Sequence, residues 1–265
     1  MSNLFSELSR RLDTAVRVKR DFRNWIEIWR HVLVGQPLTS LRRRDGLAIT
    51  GAEDGAIWNH YNDIFYHRTY TLHVGIPERG VVVDVGANVG LFSILAAPFA
   101  AEIHAFEPSA SNFRLLEKNL ADFPNVTIHN SAVGSFNGAA LLRVDQGSTE
   151  YTLQKFPGEL SISSGRSEPV RVTTLAQAFA DNRIKRCDLL KLDCEGAEYD
   201  ILLQAPHDLL AGIGAIVLEF HDHLSGHTHY EVLTCLNQCG FDARVYNEKP
   251  PYGMMVAVRS GGPPA

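Results

Sequence analysis

Apolar and polar positions follow two patterns along the chain, one typical of buried strands and one typical of helices. Short apolar runs end in glycine or acidic residues, whereas stretches between them repeat apolar residues at helical spacing, as Phe113, Leu116 and Leu120 do. The predicted strands of the main domain are 81–85, 103–106, 126–129, 187–192, 215–218, 241–245 and 254–258. Strands that alternate with helices indicate an α/β fold on a largely parallel sheet, and the last two strands predict a closing hairpin.

Further segments show strand or helix patterns outside this series. Residues 139–144 and 170–173 predict a pair of strands, and 145–169 between them is rich in serine, glycine and polar side chains. An insertion of this length is unusual between paired strands, so a lid and a plain surface loop are both open interpretations. Nearer the N-terminus, 41–49 predicts a short hairpin and 58–70 predicts an aromatic helix.

The first 44 residues differ from the rest of the chain. They contain ten Lys and Arg against four Asp and Glu, a net charge of +6, so the remaining residues carry −11. Their apolar residues recur at helical spacing: Leu4, Phe5, Leu8, Leu12, Phe22, Trp25, Ile26, Trp29 and Leu33. We interpret residues 1–44 as a basic amphipathic helical segment that either packs on the main domain or contacts an anionic membrane, a carrier or a second copy of the chain.

Composition limits the class of protein. With 265 residues, 45% of them hydrophobic, the chain can bury one substantial core, and we assign 45–260 to one domain followed by a disordered tail, 261–265. A net charge of −5 without a recurrent basic face argues against a nucleic-acid binder. The four cysteines lack zinc-site spacing, and no apolar run is long enough for a signal peptide or a membrane span. We therefore expect reduced thiols and a cytoplasmic location.

The turn after the strand 81–85 carries the strongest functional signal. The strand contains Asp84 near its end and breaks into a turn with Gly86, Ala87, Asn88 and Gly90, where a ligand can approach the backbone closely. The third glycine of a dinucleotide-binding turn is missing. A carboxylate here would repel a pyrophosphate but attract a cofactor that carries an ammonium and a sulfonium. We therefore predict that these five residues bind S-adenosylmethionine.

Two more strand ends extend this predicted cofactor site. The strand 103–106 is followed by Glu107, whose carboxylate can accept hydrogen bonds from both ribose hydroxyls. After the strand 126–129, Ser131 and Ala132 lie where parallel sheets bind ligands, and we predict that they read the adenine edge. A plain loop explains Ser131 nearly as well.

Acidic residues cluster at the ends of the next two strands. Asp193, Glu195 and Glu198 follow the first, and Glu219 and His221 end the second. Because adjacent parallel strands end at the same edge of a sheet, Asp193, Glu219 and His221 are expected to converge on one pocket. Several histidines crowd the loop after Glu219, yet an H-x-H pair without a cysteine favours solvated side chains over a zinc site.

Four segments together resemble the FkbM family of S-adenosylmethionine-dependent methyltransferases. They are 83–90, 106–108, 130–134 and 188–198, and the D-x-E-G-A-E pattern in the last is especially specific. The resemblance implies the class I methyltransferase fold, a Rossmann-like, seven-stranded, mostly parallel sheet with helices on both faces, here preceded by an N-terminal helical appendage. It also implies O-methylation of a small-molecule or glycan hydroxyl, typically on a sugar, glycan or polyketide-like natural product.

The residues themselves also favour a hydroxyl acceptor. The end of the strand 187–192 lacks the proline-aromatic tetrad of many amino methyltransferases and the Pro-Cys pair of cytosine enzymes. A hydroxyl must lose its proton, and we predict that His221, held by Glu219, accepts that proton while Asp193 orients the acceptor. The alternative is a Mg²⁺ ion held by Asp193 and Glu219. The sequence favours this alternative less, and it leaves open whether a metal is used.

Two rival functions use the same start of the fold. A non-catalytic module that binds the cofactor needs the turn and Glu107 but not the acids at the later strand ends. A nicotinamide-dependent oxidoreductase would share the first strand and helix, but its pyrophosphate is disfavoured by Asp84. The sequence leaves the identity of the acceptor and the oligomeric state open.

Overall fold

The computed structural model describes residues 14, 16–144, 151–155 and 166–260, with side chains described except at 143, 144, 151–155 and 166. The predicted apolar residues Leu4, Phe5, Leu8 and Leu12, most of the insertion 145–169 and the tail 261–265 lie outside the described residues. The chain divides into two compact units, residues 1–66 and residues 67–265. This boundary lies C-terminal to the end of the basic segment at residue 44.

The first unit is a small α/β element built around aromatic side chains. Its elements are α1 (Trp25–Val34), β1 (Ser40–Arg42), β2 (Ala48–Thr50), α2 (Ile57–Tyr61) and a π-helical turn (Asn62–Tyr66). The predicted hairpin over 41–49 is confirmed, because β1 and β2 pair antiparallel. The ring of Phe22 packs edge-on against Trp58 and Tyr61, with centroids 5.9 and 5.2 Å away.

Two predictions for this region are wrong in part. The aromatic helix ends at Tyr66, so Tyr70 lies beyond it. The predicted apolar face of α1 is also wrong in part, because α1 buries Ile28 and leaves Ile26 and Leu33 exposed. The physical reason is a break before α1: Asn24 precedes the helix, and its side chain bonds to the backbone of β1. Residues on the two sides of this break therefore do not share one helical face.

The second unit contains the large sheet. Its strands are β3 (Val81–Val85), β4 (Glu102–Phe106), β5 (Val126–His129), β6 (Ala132–Gly134), β7 (Gly138–Val144), β8 (Tyr151–Lys155), β9 (Arg166–Thr174), β10 (Cys187–Leu192), β11 (Ile213–His221), β12 (Phe241–Lys249) and β13 (Tyr252–Arg259). Its helices are α3 (Leu91–Ala96), α4 (Ala110–Leu120), α5 (Leu175–Asp181), α6 (Glu198–Leu203), α7 (His207–Ala211) and α8 (His229–Gln238), with a 3₁₀ turn at Asp222–Leu224. Among the described residues, no helix combines the length and apolar character needed to cross a membrane.

The seven-stranded sheet has the order β12-β13-β11-β10-β3-β4-β5. The strands from β11 to β5 pair parallel, whereas β13 is antiparallel to both β11 and β12. This arrangement confirms the predicted class I methyltransferase fold, including the closing hairpin. The central strands are mostly apolar because helices cover both faces, with the buried Asp84 and Lys191 as exceptions, and Val83, Leu190 and Ile216 are fully buried.

A second sheet contains four strands in the order β6-β9-β7-β8. Its first strand, β6, follows β5 closely in the sequence. The predicted strand pair is confirmed, because β7 pairs antiparallel with β9. Part of the insertion forms β8, which extends this sheet by pairing with β7. The rest of 145–169 lies outside the described residues, so its role as a lid stays a prediction.

Candidate active site

The turn between β3 and α3 has the shape that the sequence predicts. Gly86 has a φ of 74° and Gly90 a φ of 92°, and Asn88 also adopts the left-handed region, with a φ of 51°. A side chain at Gly86 would collide with the backbone carbonyl of Asp193, so this position requires glycine. The amides of Gly86 and Ala87 both donate to the carbonyl of Phe106, at 3.0 Å, which ties the turn to the end of β4.

Glu107 lies at the end of β4 and faces the same turn. One of its oxygens, Oε2, accepts a hydrogen bond from the amide of Asn88 and the other from the amide of Ser109, each at 2.8 Å. Burial raises the pKa of Glu107 to about 7, although the two amide bonds oppose that shift. A carboxylate oxygen can accept more than one hydrogen bond, so these bonds fix the orientation of Glu107 and leave it able to accept two hydroxyls.

Asp84 is placed differently from its prediction as a direct cofactor ligand. Its side chain is fully buried and lies outside the lining of the neighbouring cavity. One oxygen accepts a hydrogen bond from Ser93 at 2.8 Å, and the other lies 3.1 Å from the ammonium of Lys191. The cation beside Asp84, which was predicted to be the cofactor, is therefore a lysine of the chain itself.

Lys191 is a site residue that the sequence argument missed. Its ammonium donates to the carbonyl of Gly86 at 2.7 Å and lies 3.9 Å from Asp193. Burial lowers the pKa of Lys191, but Asp84 and Asp193 outweigh burial and raise it overall, so the side chain is a cation. The sequence contains one signal that could have identified it, a lysine inside an otherwise apolar strand. Lysine is rarely buried without a partner, so such a position predicts a buried acid nearby.

A cavity lies between the turn and the strand ends, with about 630 Å³ of space between atoms, part of it open to solvent. Its lining includes both predicted and unpredicted residues: Val85, Gly86, Asn88, Phe106, Glu107, Pro108, Asn112, Ala132, Val133, Leu142, Asp193, Cys194 and Glu195. Ala132 lines the cavity, whereas the buried Ser131 does not, and the predicted contact of both with the adenine edge stays a prediction. The charged side chains of the lining are all carboxylates, at Glu107, Asp193 and Glu195.

A second and larger cavity shares Glu195 with the first. It has about 1050 Å³ of space on the same measure and is lined mainly by the ends of β6, α6 and the loop after β11. Its lining is Gly134, Ser135, Phe136, Glu195, Gly196, Ala197, Asp200, Leu224, Ser225, Gly226 and His227. Hydroxyl, carboxylate and imidazole groups beside one aromatic ring suit a polar acceptor of moderate size.

The predicted convergence of acids at the ends of β10 and β11 is present. A donor atom from each of Asp193, Glu219 and His221 lies within 4.8 Å of the donors of the other two. Tyr70 joins them: its hydroxyl donates to Asp193 at 2.6 Å and lies 3.4 Å from Glu219. Burial, with Asp193 and Glu219, raises the pKa of Tyr70 well above its usual value, so the phenol keeps its proton.

His221 is held by different carboxylates from the one predicted. Its Nε2 lies 3.4 Å from Glu195, and its Nδ1 lies 3.3 Å from Glu198 without the alignment of a hydrogen bond. Glu198 is itself fixed, because its two oxygens accept from the amides of Cys194 and Gly196. Glu195 in the loop after β10 and Glu198 at the start of α6 therefore take the place of the expected support by Glu219.

The charge around His221 bears on its predicted role as a base. Burial lowers the pKa of His221, but Glu198, Asp193 and Glu195 outweigh burial and raise it to about 10. A ring with this pKa carries a proton at neutral pH and cannot accept another one. Burial is the largest cause that raises the pKa of Glu195, to about 8, and Asp193 is the second. The same two causes raise the pKa of Glu219.

Comparison with known proteins shows the family of the chain. The model of the family described as "Methyltransferase FkbM domain" matches residues 84–243, more than half of the chain. AMB antimetabolite synthetase AmbE of Pseudomonas aeruginosa is 30% identical over 63% of this chain, which spans only 10% of that relative's length. The 31-O-demethyl-FK506 methyltransferase FkbM of Streptomyces tacrolimicus is 25% identical over 69% of this chain and 82% of that protein.

One similar solved structure carries the same family name. The crystal structure of methyltransferase FkbM from Methylobacillus flagellatus is 15% identical, with a TM-score of 0.45 over 75% of this chain and 47% of that one. The family match covers the glycine turn, Glu107 and the acids of β10 and β11. The chain belongs to the FkbM family of methyltransferases.

Proposed function

We propose that the chain is an S-adenosylmethionine-dependent O-methyltransferase that acts on a hydroxyl of a sugar, glycan or polyketide-like molecule. The observation that carries the proposal is the shared cavity. Glu107, Gly86 and Asn88 line it together with Asp193 and Glu195. A cofactor bound against the glycine turn and Glu107 would lie next to these two acids.

The charge of the cavity fits this cofactor. Three acidic side chains line it, Asp193 together with Glu107 and Glu195, whose pKa values are raised to about 7 and about 8, and no lysine or arginine is among its lining residues. A sulfonium and an ammonium would be attracted there, whereas the pyrophosphate of a nicotinamide cofactor would be repelled. Glu107 is already oriented by two amides and can accept the ribose hydroxyls. This combination supports S-adenosylmethionine over the oxidoreductase alternative.

The cofactor supplies an electrophilic methyl group when it is bound. The residues of the chain must then orient the attacking hydroxyl and take its proton. Asp193 lines the cavity and Glu219 lies next to Asp193 in the acidic cluster, so these two carboxyl groups can do both, and the phenol of Tyr70 holds Asp193 in place. His221 is better suited to stabilise the nearby negative charge than to act as the base, because it already carries a proton.

The presence of acids beyond the cofactor side argues against a module that only binds the cofactor. Buried carboxylates are costly unless they have a task or a partner. The name of one relative, 31-O-demethyl-FK506 methyltransferase, describes an oxygen acceptor on that protein's own substrate. The second cavity, which Glu195 connects to the first, offers polar side chains for a hydroxylated molecule.

Two measurements test the proposal. Calorimetric titration of the protein with S-adenosylmethionine, S-adenosylhomocysteine and NADH should show binding of the first two only. A screen of hydroxylated sugars and polyketide-like compounds with a methyl-labelled cofactor should then transfer label to an oxygen. Binding of NADH alone would support the oxidoreductase, and tight cofactor binding without transfer to any acceptor would support the non-catalytic module.

A further inference from the structure

We propose that Asp193, Glu219 and His221 form a binding site for a divalent transition-metal ion. One donor atom of each lies within 4.8 Å of the other two. Asp193 directly follows β10, and Glu219 and His221 lie at the end of β11, just past the Leu192–Leu218 pair where the parallel pairing of these two strands ends. Glu219 and His221 are held by their pairing with β13. Neighbouring strands of a rigid sheet therefore hold these donors together, so the site does not depend on a loose surface loop.

The balance of charge at these strand ends calls for a cation. Asp84 already pairs with Lys191, at 3.1 Å. Lys191 also lies 3.9 Å from Asp193, and the described cluster contains four carboxyl groups, Asp193, Glu195, Glu198 and Glu219, around the single imidazole of His221. Burying several carboxyl groups together makes their charged forms costly unless a positive charge is added. A divalent ion would supply two.

The environment of His221 is a second and independent observation. The side chain is 3% exposed, and its Nδ1 has no hydrogen-bond partner within the described structure. The carboxylates of Glu195 and Glu198 lie 3.4 and 3.3 Å from its two ring nitrogens. A histidine that binds a metal through one nitrogen usually has a carboxylate at the other, which orients the ring. An ion would take the place of the ring proton.

Asp193 has a similar supporting partner. The phenol of Tyr70 donates to one of its oxygens at 2.6 Å, and Tyr70 is itself buried. Such a bond fixes the carboxylate so that it can present a lone pair in a set direction. Ligands and supporting partners are thus both present for two of the three residues.

The donor set identifies the class of ion. Mg²⁺ prefers an all-oxygen octahedron that keeps several waters, whereas an imidazole favours a transition metal such as Mn²⁺, Fe²⁺ or Zn²⁺. His221 therefore points away from the Mg²⁺ alternative and toward an ion that accepts mixed oxygen and nitrogen ligands. If the proposed methyl transfer is right, this ion would polarise the acceptor oxygen, and that role rests on the proposed function.

The test measures ion binding without any methyl acceptor. Chelator-treated, full-length protein is titrated with Mn²⁺, and free Mn²⁺ is followed by its electron paramagnetic resonance signal. We expect one site per chain, and a loss of at least about tenfold in affinity in His221→Gln and in Glu219→Gln. His223→Gln is the matched control, because His223 lies two residues away and outside the donor set. It should bind Mn²⁺ as the wild type does.

The outcomes separate this inference from the proposed function. Thermal unfolding of each variant first shows that it is folded. No Mn²⁺ binding by the wild type, or equal binding by all three variants, overturns the metal site even if methyl transfer is found. Site-specific Mn²⁺ binding by a protein that transfers no methyl group supports the metal site and counts against the proposed function. Tighter binding of Mg²⁺ than Mn²⁺ in the same titration would overturn the assigned class of ion.

Discussion

At the scale of single residues, Lys191 connects the two sides of the site. Its ammonium contacts Asp84 below the glycine turn, the carbonyl of Gly86 within the turn, and Asp193 at the acidic strand end. It also lies 5.3 Å from the centre of the Tyr70 ring. One buried cation thus holds the backbone of the cofactor turn and a carboxylate of the acceptor side in a common position.

Replacing Lys191 should therefore destabilise the fold. Lys191→Met leaves the carboxylate of Asp84 buried without its cation, and we expect the free energy of unfolding to fall by about 3–5 kcal/mol. Adding Asp84→Asn removes the stranded charge and should restore more than half of the loss. Urea unfolding checks both variants, with Lys185→Met at an exposed position as control. Equal stability of the single and double variants would show that the pair is not the cause.

Glu107 leads to a prediction about cofactor binding. Glu107→Gln should weaken S-adenosylmethionine binding by roughly 1–3 kcal/mol, because an amide cannot replace both acceptor oxygens. Since burial raises the pKa of Glu107 to about 7, the fraction of charged carboxylate grows as pH rises through 7. Wild-type affinity should therefore increase from pH 6 to pH 8, and the variant should lose this dependence. Calorimetry at both pH values measures the change, with the exposed Glu117→Gln as control. A parallel pH dependence in Glu107→Gln would contradict the role.

At the scale of secondary-structure elements, most strands could be predicted because their information is local. The apolar run of β3 and the alternation of strands and helices lie in contiguous sequence, and β3 and β5 have the predicted bounds. The helix α1 was harder, because its buried side depends on the break at Asn24. Spacing alone does not show where a helix is interrupted by contacts with a distant strand.

The adjacent strands β4 and β5 carry a pair of histidines that leads to a pH prediction. His104 and His129 lie with ring nitrogens 3.2 Å apart, and the ring of Phe106 stacks on His129. Burial lowers the pKa of His104, and burial with His104 and Arg171 lowers that of His129 to about 4. Both folded pKa values lie below the unfolded value of about 6.5, so their contribution to stability is full above pH 6.5 and is lost as pH falls toward 4.

The size of this effect is limited by partial exposure of His129. The variant His129→Phe keeps the stacking on Phe106. Between pH 7 and pH 4.5, we expect its free energy of unfolding to fall by about 1–2 kcal/mol less than that of the wild type. Urea unfolding at the two pH values gives the difference, and subtracting the variant from the wild type cancels the carboxylates that titrate in both. Identical pH profiles would rule out a titration of this histidine.

At the scale of the whole molecule, the class of fold could be predicted but the pairing within the site could not. The glycine turn and the acids after β10 are visible in the sequence because each is a short local pattern. By contrast, Tyr70 and Asp193 are 123 positions apart, and nothing near Tyr70 indicates its partner. The same holds for Lys191 and Asp84, and for the carboxylates that flank His221. These pairs form only when distant strand ends meet at one edge of the sheet.

The last prediction concerns which part of the chain is sufficient for cofactor binding. The seven-stranded sheet, both cavities and the acidic strand ends lie in residues 67–265, and the family match falls within them. A fragment that begins at His67 should therefore fold and bind S-adenosylmethionine within about threefold of the full chain, roughly 0.6 kcal/mol. Circular dichroism checks the fold, and calorimetry on both proteins checks the affinity. A folded fragment that binds more than about tenfold more weakly would show that residues 1–66 contribute to the cofactor site, and an unfolded one would show that they are needed for the sheet itself.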